Sequence, residues 1–157
     1  DINAIQSEKR PVTTIDFGFV GDVKKVNSNA IDKLIKADFT PIFCAITHDK
    51  NGQLLNTNAD TIASTIAVGM STIYETSIYY CFELNGVLNN FNDKDSVVKH
   101  INSETYKSLL KDKIITDGMI PKIDNCFDAL HNGVKKVYIG NTAMLTKENE
   151  NFTTITL

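Results

Sequence analysis

One lysine in this chain stands where a cation is least welcome. Ile114-Ile115-Thr116-Asp117-Gly118-Met119-Ile120-Pro121-Lys122-Ile123 reads as a strand or loop end running into a helix, with Lys122 in the helix's first turn. Free backbone N–H groups make that end electropositive, so a cation there is unfavourable by roughly 0.3–1 kcal/mol. An anion reverses the balance, because helix N-termini bind phosphates well. Lys122 is therefore either a solvated lysine at no particular site or one half of an anion site. A second stretch bears on the choice. Asn56, Asn58 and Asp60 alternate just before and into another helix, directly after Leu54-Leu55. Asn58 suits a helix cap, and Asp60 suits the first turn. A calcium loop is excluded, since its sixth-position glycine would be Thr61 and its acidic twelfth position Ala67. Capping leaves Asn56 unexplained, at the mouth of a strand-to-helix connection, where open α/β sheets bind ligands.

The elements that must hold these residues follow from hydrophobic spacing. Residues 2–5 and 12–15 read as short strands of a hairpin, with Ser7, Lys9 and Arg10 in the turn. Phe17-Gly18-Phe19-Val20-Gly21-Asp22-Val23 has two glycines three apart. It lacks the third glycine and the following helix of a dinucleotide fingerprint, so the glycines are read as serving backbone geometry. Ser28 or Asn29 caps a helix carrying Ala30, Ile31, Leu34 and Ile35. Thr40 to Ile46 is a continuous apolar run, the pattern of a strand buried on both faces. Asp49-Lys50-Asn51-Gly52 is a turn. A helix is expected from about Ala59 to Tyr74, with Ile62, Ala63, Ile66, Ala67 and Met70 inward. Ser77 to Phe82 is a strand, followed by an Asn85-Gly86 turn. Ser103 caps a short helix with Tyr106, Leu109 and Leu110. Met119, Ile120, Ile123, Cys126, Phe127 and Leu130 form one face of a helix beginning near Asp117 and stopped by Asn132-Gly133. Lys135 to Ile139 and Phe152 to Leu157 close the chain as strands. Strands alternating with helices predict an α/β fold, a three-layer αβα sandwich around a mainly parallel open sheet.

Composition narrows the function classes. The chain has 157 residues, 42% hydrophobic and 22% charged, enough for one domain with a sizeable core. Its net charge is -3 and Arg10 is its sole arginine, so nucleic acid is not an expected partner. No apolar run approaches the roughly 20 residues that span a bilayer, and no signal peptide is read. A cytoplasmic protein with no membrane partner is expected. Cys44, Cys81 and Cys126 fit no zinc spacing and are expected as buried, reduced thiols. His48, His100 and His131 are expected at the surface.

Taken together, Leu55-Asn56-Thr57-Asn58-Ala59-Asp60-Thr61 and Ile115-Thr116-Asp117-Gly118-Met119-Ile120-Pro121-Lys122-Ile123 resemble the acetylglutamate kinase family, within the amino acid kinase superfamily. Asp16 to Val23, Asn85-Gly86-Val87-Leu88, Asp128-Ala129-Leu130 and Gly133-Val134 match as well, in the family's order. The resemblance implies transfer of the γ-phosphoryl of ATP, carried with Mg2+, to the side-chain carboxylate of an N-acylated glutamate in arginine biosynthesis. It implies that Lys122 contacts the transferring phosphoryl and that Asp60 holds the catalytic lysines in place. Asn56, with Asn58, would bind the amino-acid substrate. Glu83, Leu84, Asn85, Gly86, Val87 and Leu88, with Ile114, Ile115 and Thr116, would line the nucleotide site. A homodimer or larger assembly is implied too. Residues of about 1–75 would form the remainder of a substrate lobe, and about 76–157 a nucleotide lobe, within one partial domain.

The resemblance has gaps. The family's N-terminal lysine with its glycine-rich loop, its second glycine pair and its substrate-gripping arginine have no match here, and Arg10 lies elsewhere. The nucleotide-side strand ends in Phe82-Glu83 where the family has a Ser/Thr-Asp pair. The expectation is accordingly an acylglutamate kinase represented by its C-terminal part, lacking the N-terminal part of the fold and inactive by itself. The competing readings are a non-catalytic nucleotide-binding or regulatory module of this fold, or a sibling kinase acting on aspartate, carbamate, glutamate or a nucleoside monophosphate. Without the pocket wall, the acyl group is not readable.

Overall fold

The computed structural model describes residues 4–116, 118–146 and 150–157. The chain divides into two compact units, Asp1–Thr72 and Ile73–Leu157.

The first unit is built on a hairpin. β1 (Ile5–Lys9) and β2 (Gly21–Val26) pair antiparallel, with a register shift between Gln6 and Ser7. The partner of β1 is thus the glycine-bearing stretch, and residues 12–15, expected as a strand, form irregular chain. Cross-strand charge supports the register. Lys24 pairs with Glu8, and the Arg10 guanidinium grips Asp22 at 2.5 Å. That guanidinium holds the Asp22 carboxyl below its usual range. α1 (Ser28–Lys36) is capped by Asn27, whose side chain accepts from the Ala30 N–H at 3.2 Å, one residue before the expected caps. β3 (Ile46–His48) and β4 (Leu54–Asn56) form a second hairpin around the Asp49–Gly52 turn, where the Asp49 carboxylate accepts from the Asn51 N–H at 2.7 Å. The expected doubly buried strand at Thr40 to Ile46 is replaced by irregular chain up to Ala45, and Ile42 is 93% exposed. An apolar run alone does not make a strand, because the backbone must also find ladder partners. α2 (Ala59–Met70) ends the unit, buried through Ile62 and Met70, with Ala63 exposed. The strand order is β2-β1-β3-β4.

The second unit has the sheet order β5-β7-β8-β6. β5 (Ser77–Cys81) runs parallel to β7 (Lys136–Gly140), and β7 pairs antiparallel with β8 (Thr153–Ile155). β6 (His100–Ile101), which sequence spacing misses, runs parallel to β8. Between β6 and β7 stand α3 (Ser103–Lys111), capped by Asn102 rather than Ser103, and α4 (Ile120–His131). Two rungs cross the sheet and are buried throughout: Ile78–Val137–Ile155 and Tyr80–Ile139–Thr153. Ile123, Cys126, Phe127 and Leu130 of α4 are buried with them. The α/β class expected from the sequence holds. Among the described residues its pairings are mixed, with β1–β3, β5–β7 and β6–β8 parallel and the other three antiparallel. Of the three free cysteines, Cys126 is buried and Cys44 and Cys81 are exposed, which corrects the expectation of three buried thiols. No helix among the described residues is long and apolar enough to cross a membrane.

Candidate functional site

The second unit holds a cavity of about 630 Å³ beyond the carboxyl end of β5. Three segments wall it. The first is Leu84 and Gly86 to Phe91, the second is Asp112 to Ile114, and the third is Thr116 with Met119, leading into α4. Leu84, Gly86, Val87, Leu88, Ile114 and Thr116 are therefore brought to one place from two distant stretches of chain. Glu83, Asn85 and Ile115 are not part of the wall. Glu83 is exposed, Ile115 is 3% exposed within the core, and the Asn85 side-chain Oδ1 accepts from the Asn141 side-chain amide at 2.6 Å.

The 86–88 wall is fixed by a residue from the other end of the chain. Thr153 Oγ1 accepts from the Val87 N–H at 2.8 Å and donates to the Val98 carbonyl at 2.8 Å. Gly86 lets the loop come this close, since a Cβ there would stand 2.6 Å from Thr153 Oγ1 and 2.7 Å from Val97 Cγ1. The wall opposite comes from the chain leaving α3. Tyr106 of α3 donates to Asp124 of α4 at 2.7 Å and packs its ring against Phe127 at 5.4 Å between centroids. Burial and the Asp124 carboxylate push the phenol up to about 12.

α4 starts without a side-chain cap. Thr116 O accepts from the Met119 and Ile120 N–H groups at 2.8 and 3.1 Å, Pro121 occupies the start, and the first turn carries no acid. Asp117 lies outside the described residues. Lys122 is half-buried, with its ammonium 5.2 Å from the Tyr80 ring centroid and 5.8 Å from that of Phe82. Cation–π attraction to both rings gives the charge a seat at a helix end that repels it. Tyr80 belongs to the same rung as Thr153, so the lysine's seat and the loop's anchor share one line of the sheet.

In the first unit, Asn56 ends β4, exposed, with its N–H donating to Phe19 O at 2.8 Å. Thr57 turns inward and its hydroxyl bonds that of Thr47 at 2.8 Å. Asn58 caps α2, accepting from the Thr61 N–H at 3.0 Å, and Asp60 sits in the first turn. The glycines of the 16–23 stretch serve geometry. Gly18 has φ +66°, and a Cβ on Gly21 would meet Leu55 Cβ at 2.7 Å. Asn56, Asn58 and Asp60 are thus grouped in one unit, and Lys122 and the cavity in the other.

Asn89, Asn90, Phe91, Asp112, Lys113 and Met119 complete the cavity and were not singled out from the sequence for binding. Adjacency to the two matched segments was the available signal. Thr153 gave none, because it is 66 residues from the amide it fixes. Among the described residues no group of three His, Cys, Asp or Glu side chains is placed to hold a metal.

A model of the amino acid kinase family matches residues 2–141. The chain is similar to the acetylglutamate kinase of Cytophaga hutchinsonii, 48% identical over 155 residues, covering 98% of this chain and 59% of that protein. It is similar to the acetylglutamate kinase of Bacteroides thetaiotaomicron, 44% identical over 150 residues, covering 96% of this chain and 58% of that one. Among solved structures, N-acetylglutamate synthase from Neisseria gonorrhoeae, complexed with coenzyme A and L-arginine, superposes with a TM-score of 0.82 at 19% identity. That match covers 98% of this chain and 36% of the other, and shows a shared fold alone. The chain spans a little under three-fifths of the length of the curated relatives it matches.

Proposed function

The chain belongs to the amino acid kinase family, and we propose that its protein transfers the γ-phosphoryl of ATP to the side-chain carboxylate of N-acetylglutamate or another N-acylglutamate. The observation that carries this reading is the similarity to acetylglutamate kinases along both units. In this reading the cavity of the second unit takes the nucleotide. It is a recess of mixed polar and apolar lining beyond a strand's carboxyl end, the usual place for such a ligand in α/β proteins. Phosphoryl transfer asks little covalent help of a protein. It asks for positioning and for positive charge on the transferring oxygens. Lys122 supplies the charge, and its two rings keep the ammonium near the α4 start, where the positive end of the helix dipole adds to it. Asp60 is a positioning residue that keeps the catalytic cations aimed, and Asn56 with Asn58 binds the amino-acid substrate. Magnesium fits as a passenger on ATP's phosphates, the way that ion prefers to bind, where it neutralises charge. Arginine biosynthesis is the metabolic setting of this reading, the cytoplasm its compartment, and a homodimer or larger assembly its form.

The test is a coupled assay of ADP release with N-acetylglutamate, and with glutamate, aspartate, carbamate and UMP as competing acceptors, in the protein that carries this chain. Dependence on N-acetylglutamate is expected, and Lys122→Ala should lower kcat at least a hundredfold, about 2.7 kcal/mol or more of transition-state stabilisation, with little change in Tm. An unchanged rate removes Lys122 from the mechanism. Saturable MgATP binding with no transfer to any acceptor establishes the other reading, a nucleotide-binding or regulatory module.

A further inference from the structure

Three helices of this chain end in the same way. After α1, the Asp38 N–H donates to Ile35 O at 3.0 Å and the Phe39 N–H to Leu34 O at 3.0 Å. After α3, the Lys113 N–H donates to Leu110 O at 3.1 Å and the Ile114 N–H to Leu109 O at 2.9 Å. After α4, the Gly133 N–H donates to Leu130 O at 3.2 Å and the Val134 N–H to Ala129 O at 3.1 Å. Each is a Schellman ending, with its pivot residue in the left-handed region: Asp38 at φ 63°, Lys113 at 55° and Gly133 at 103°. Glycine is free to adopt that conformation, and aspartate reaches it more readily than most residues. Lysine has neither advantage. Of the three pivots, Lys113 alone lines the 630 Å³ cavity. It is also the one cation among the described residues of the cavity wall, beside Asp112. The helix ending by itself would favour glycine; Lys50, in the Asp49–Gly52 turn, is left-handed too at φ 72°, so what sets Lys113 apart is its place in the cavity wall.

Phe91, on another wall of the same cavity, is 79% exposed. The loop that carries it is well braced. The Asn89 N–H donates to Ser96 O at 2.7 Å, and the Ser96 hydroxyl touches Asn90 O at 2.9 Å and Asp93 O at 2.6 Å. A bonded loop thus holds an apolar ring in water at the cavity. A flat aromatic surface suits a nucleobase, and an ammonium suits phosphate oxygens.

We propose that Phe91 stacks on the base, and Lys113 pairs with the phosphate chain, of a nucleotide bound in this cavity. The proposal rests on the nucleotide reading above and adds two recognition residues to it. Calorimetric titration of the protein that carries this chain with MgATP and with adenosine tests it. Phe91→Ala should weaken both ligands by the same factor, roughly tenfold, and Phe91→Trp should restore both. Lys113→Gly should weaken MgATP about fivefold at low salt and leave adenosine unchanged. Its Tm should hold or rise, since glycine relieves the left-handed backbone. Either variant binding MgATP as tightly as the unsubstituted chain overturns its residue's assignment. An equal loss of both ligands in Lys113→Gly overturns the phosphate role. No saturable MgATP binding by that folded, unsubstituted protein would instead overturn the nucleotide reading itself.

Discussion

The two units bury their chain in different ways. In Ile73–Leu157, Ile101, Ile123, Val137, Ile139 and Ile155 have no exposed surface at all. In Asp1–Thr72, Phe39, Ile42, Ile46 and Leu54 each leave half or more of their surface in water. Two buried hydroxyls repeat the contrast. Thr153, 0% exposed, makes two hydrogen bonds of 2.8 Å, whereas Ser7, 1% exposed, has an Oγ with no hydrogen-bond partner among the described residues. A closed apolar core can afford polar groups only where each is satisfied, and the second unit meets that condition at Thr153. The first unit encloses fewer apolar side chains completely, Leu55 being one, and leaves the Ser7 hydroxyl without a partner among the described residues. That difference places the rigid framework of the candidate cavity in the second unit.

The comparison can be broken at its strongest point first. Ile139→Ala, in the middle of the Tyr80–Ile139–Thr153 rung, should cost roughly 2–5 kcal/mol by denaturant unfolding. Ile42→Ser at a 93% exposed position should stay within about 0.5 kcal/mol. Equal losses would show that the second unit is no better closed than the first. Thr153→Val comes next. It strands the Val87 N–H and Val98 O and should cost about 2 kcal/mol, with MgATP affinity falling because the 86–88 wall loosens. A stability loss with unaltered affinity would detach that wall from the nucleotide. Ser7→Ala should have the opposite sign, raising stability by up to about 1 kcal/mol, because it deletes an unsatisfied buried hydroxyl. A loss of stability there would mean that Ser7 has a partner, such as a bound water.

The smallest effects come from pH and separate the units by direction. Asp22 has a folded pKa depressed by Arg10, so its contribution is present above the unfolded value and is lost as pH falls through the folded one. Asp22→Asn should flatten the acid limb of Tm against pH, slightly, because both partners are well exposed. Tyr106 has a folded pKa raised to about 12 from 10.0, so its contribution is present below pH 10 and is lost as pH climbs towards 12. Tyr106→Phe should lower Tm at neutral pH and flatten the alkaline limb. Unaltered limbs in both variants would deny these pairs any part in stability.

Much of the local structure was legible in the residues. Asn58 as a cap, the turn at Asp49–Gly52 and the helix stop at Gly133 follow from side chains that bond or free the backbone within a few residues. The caps of α1 and α3 were displaced by one residue, because serine and asparagine stood side by side and either can serve. The larger miss was Thr40 to Ile46. Its composition fits a buried strand, but strand formation depends on partners far away in the chain. The pairing of β1 with β2 was hidden for the same reason.

The sequence by itself determined the α/β class, the family and the first-turn positions of Lys122 and Asp60, because these depend on residue type and near spacing. Only the tertiary structure decided that Gly86 to Leu88, Ile114 and Thr116 meet around one cavity. It likewise decided that Thr153 bolts one wall in place and that Tyr80 and Phe82 seat the lysine. Those contacts join residues tens of positions apart, and the sheet register that joins them is fixed by burial across the whole unit, a property no short stretch of sequence carries.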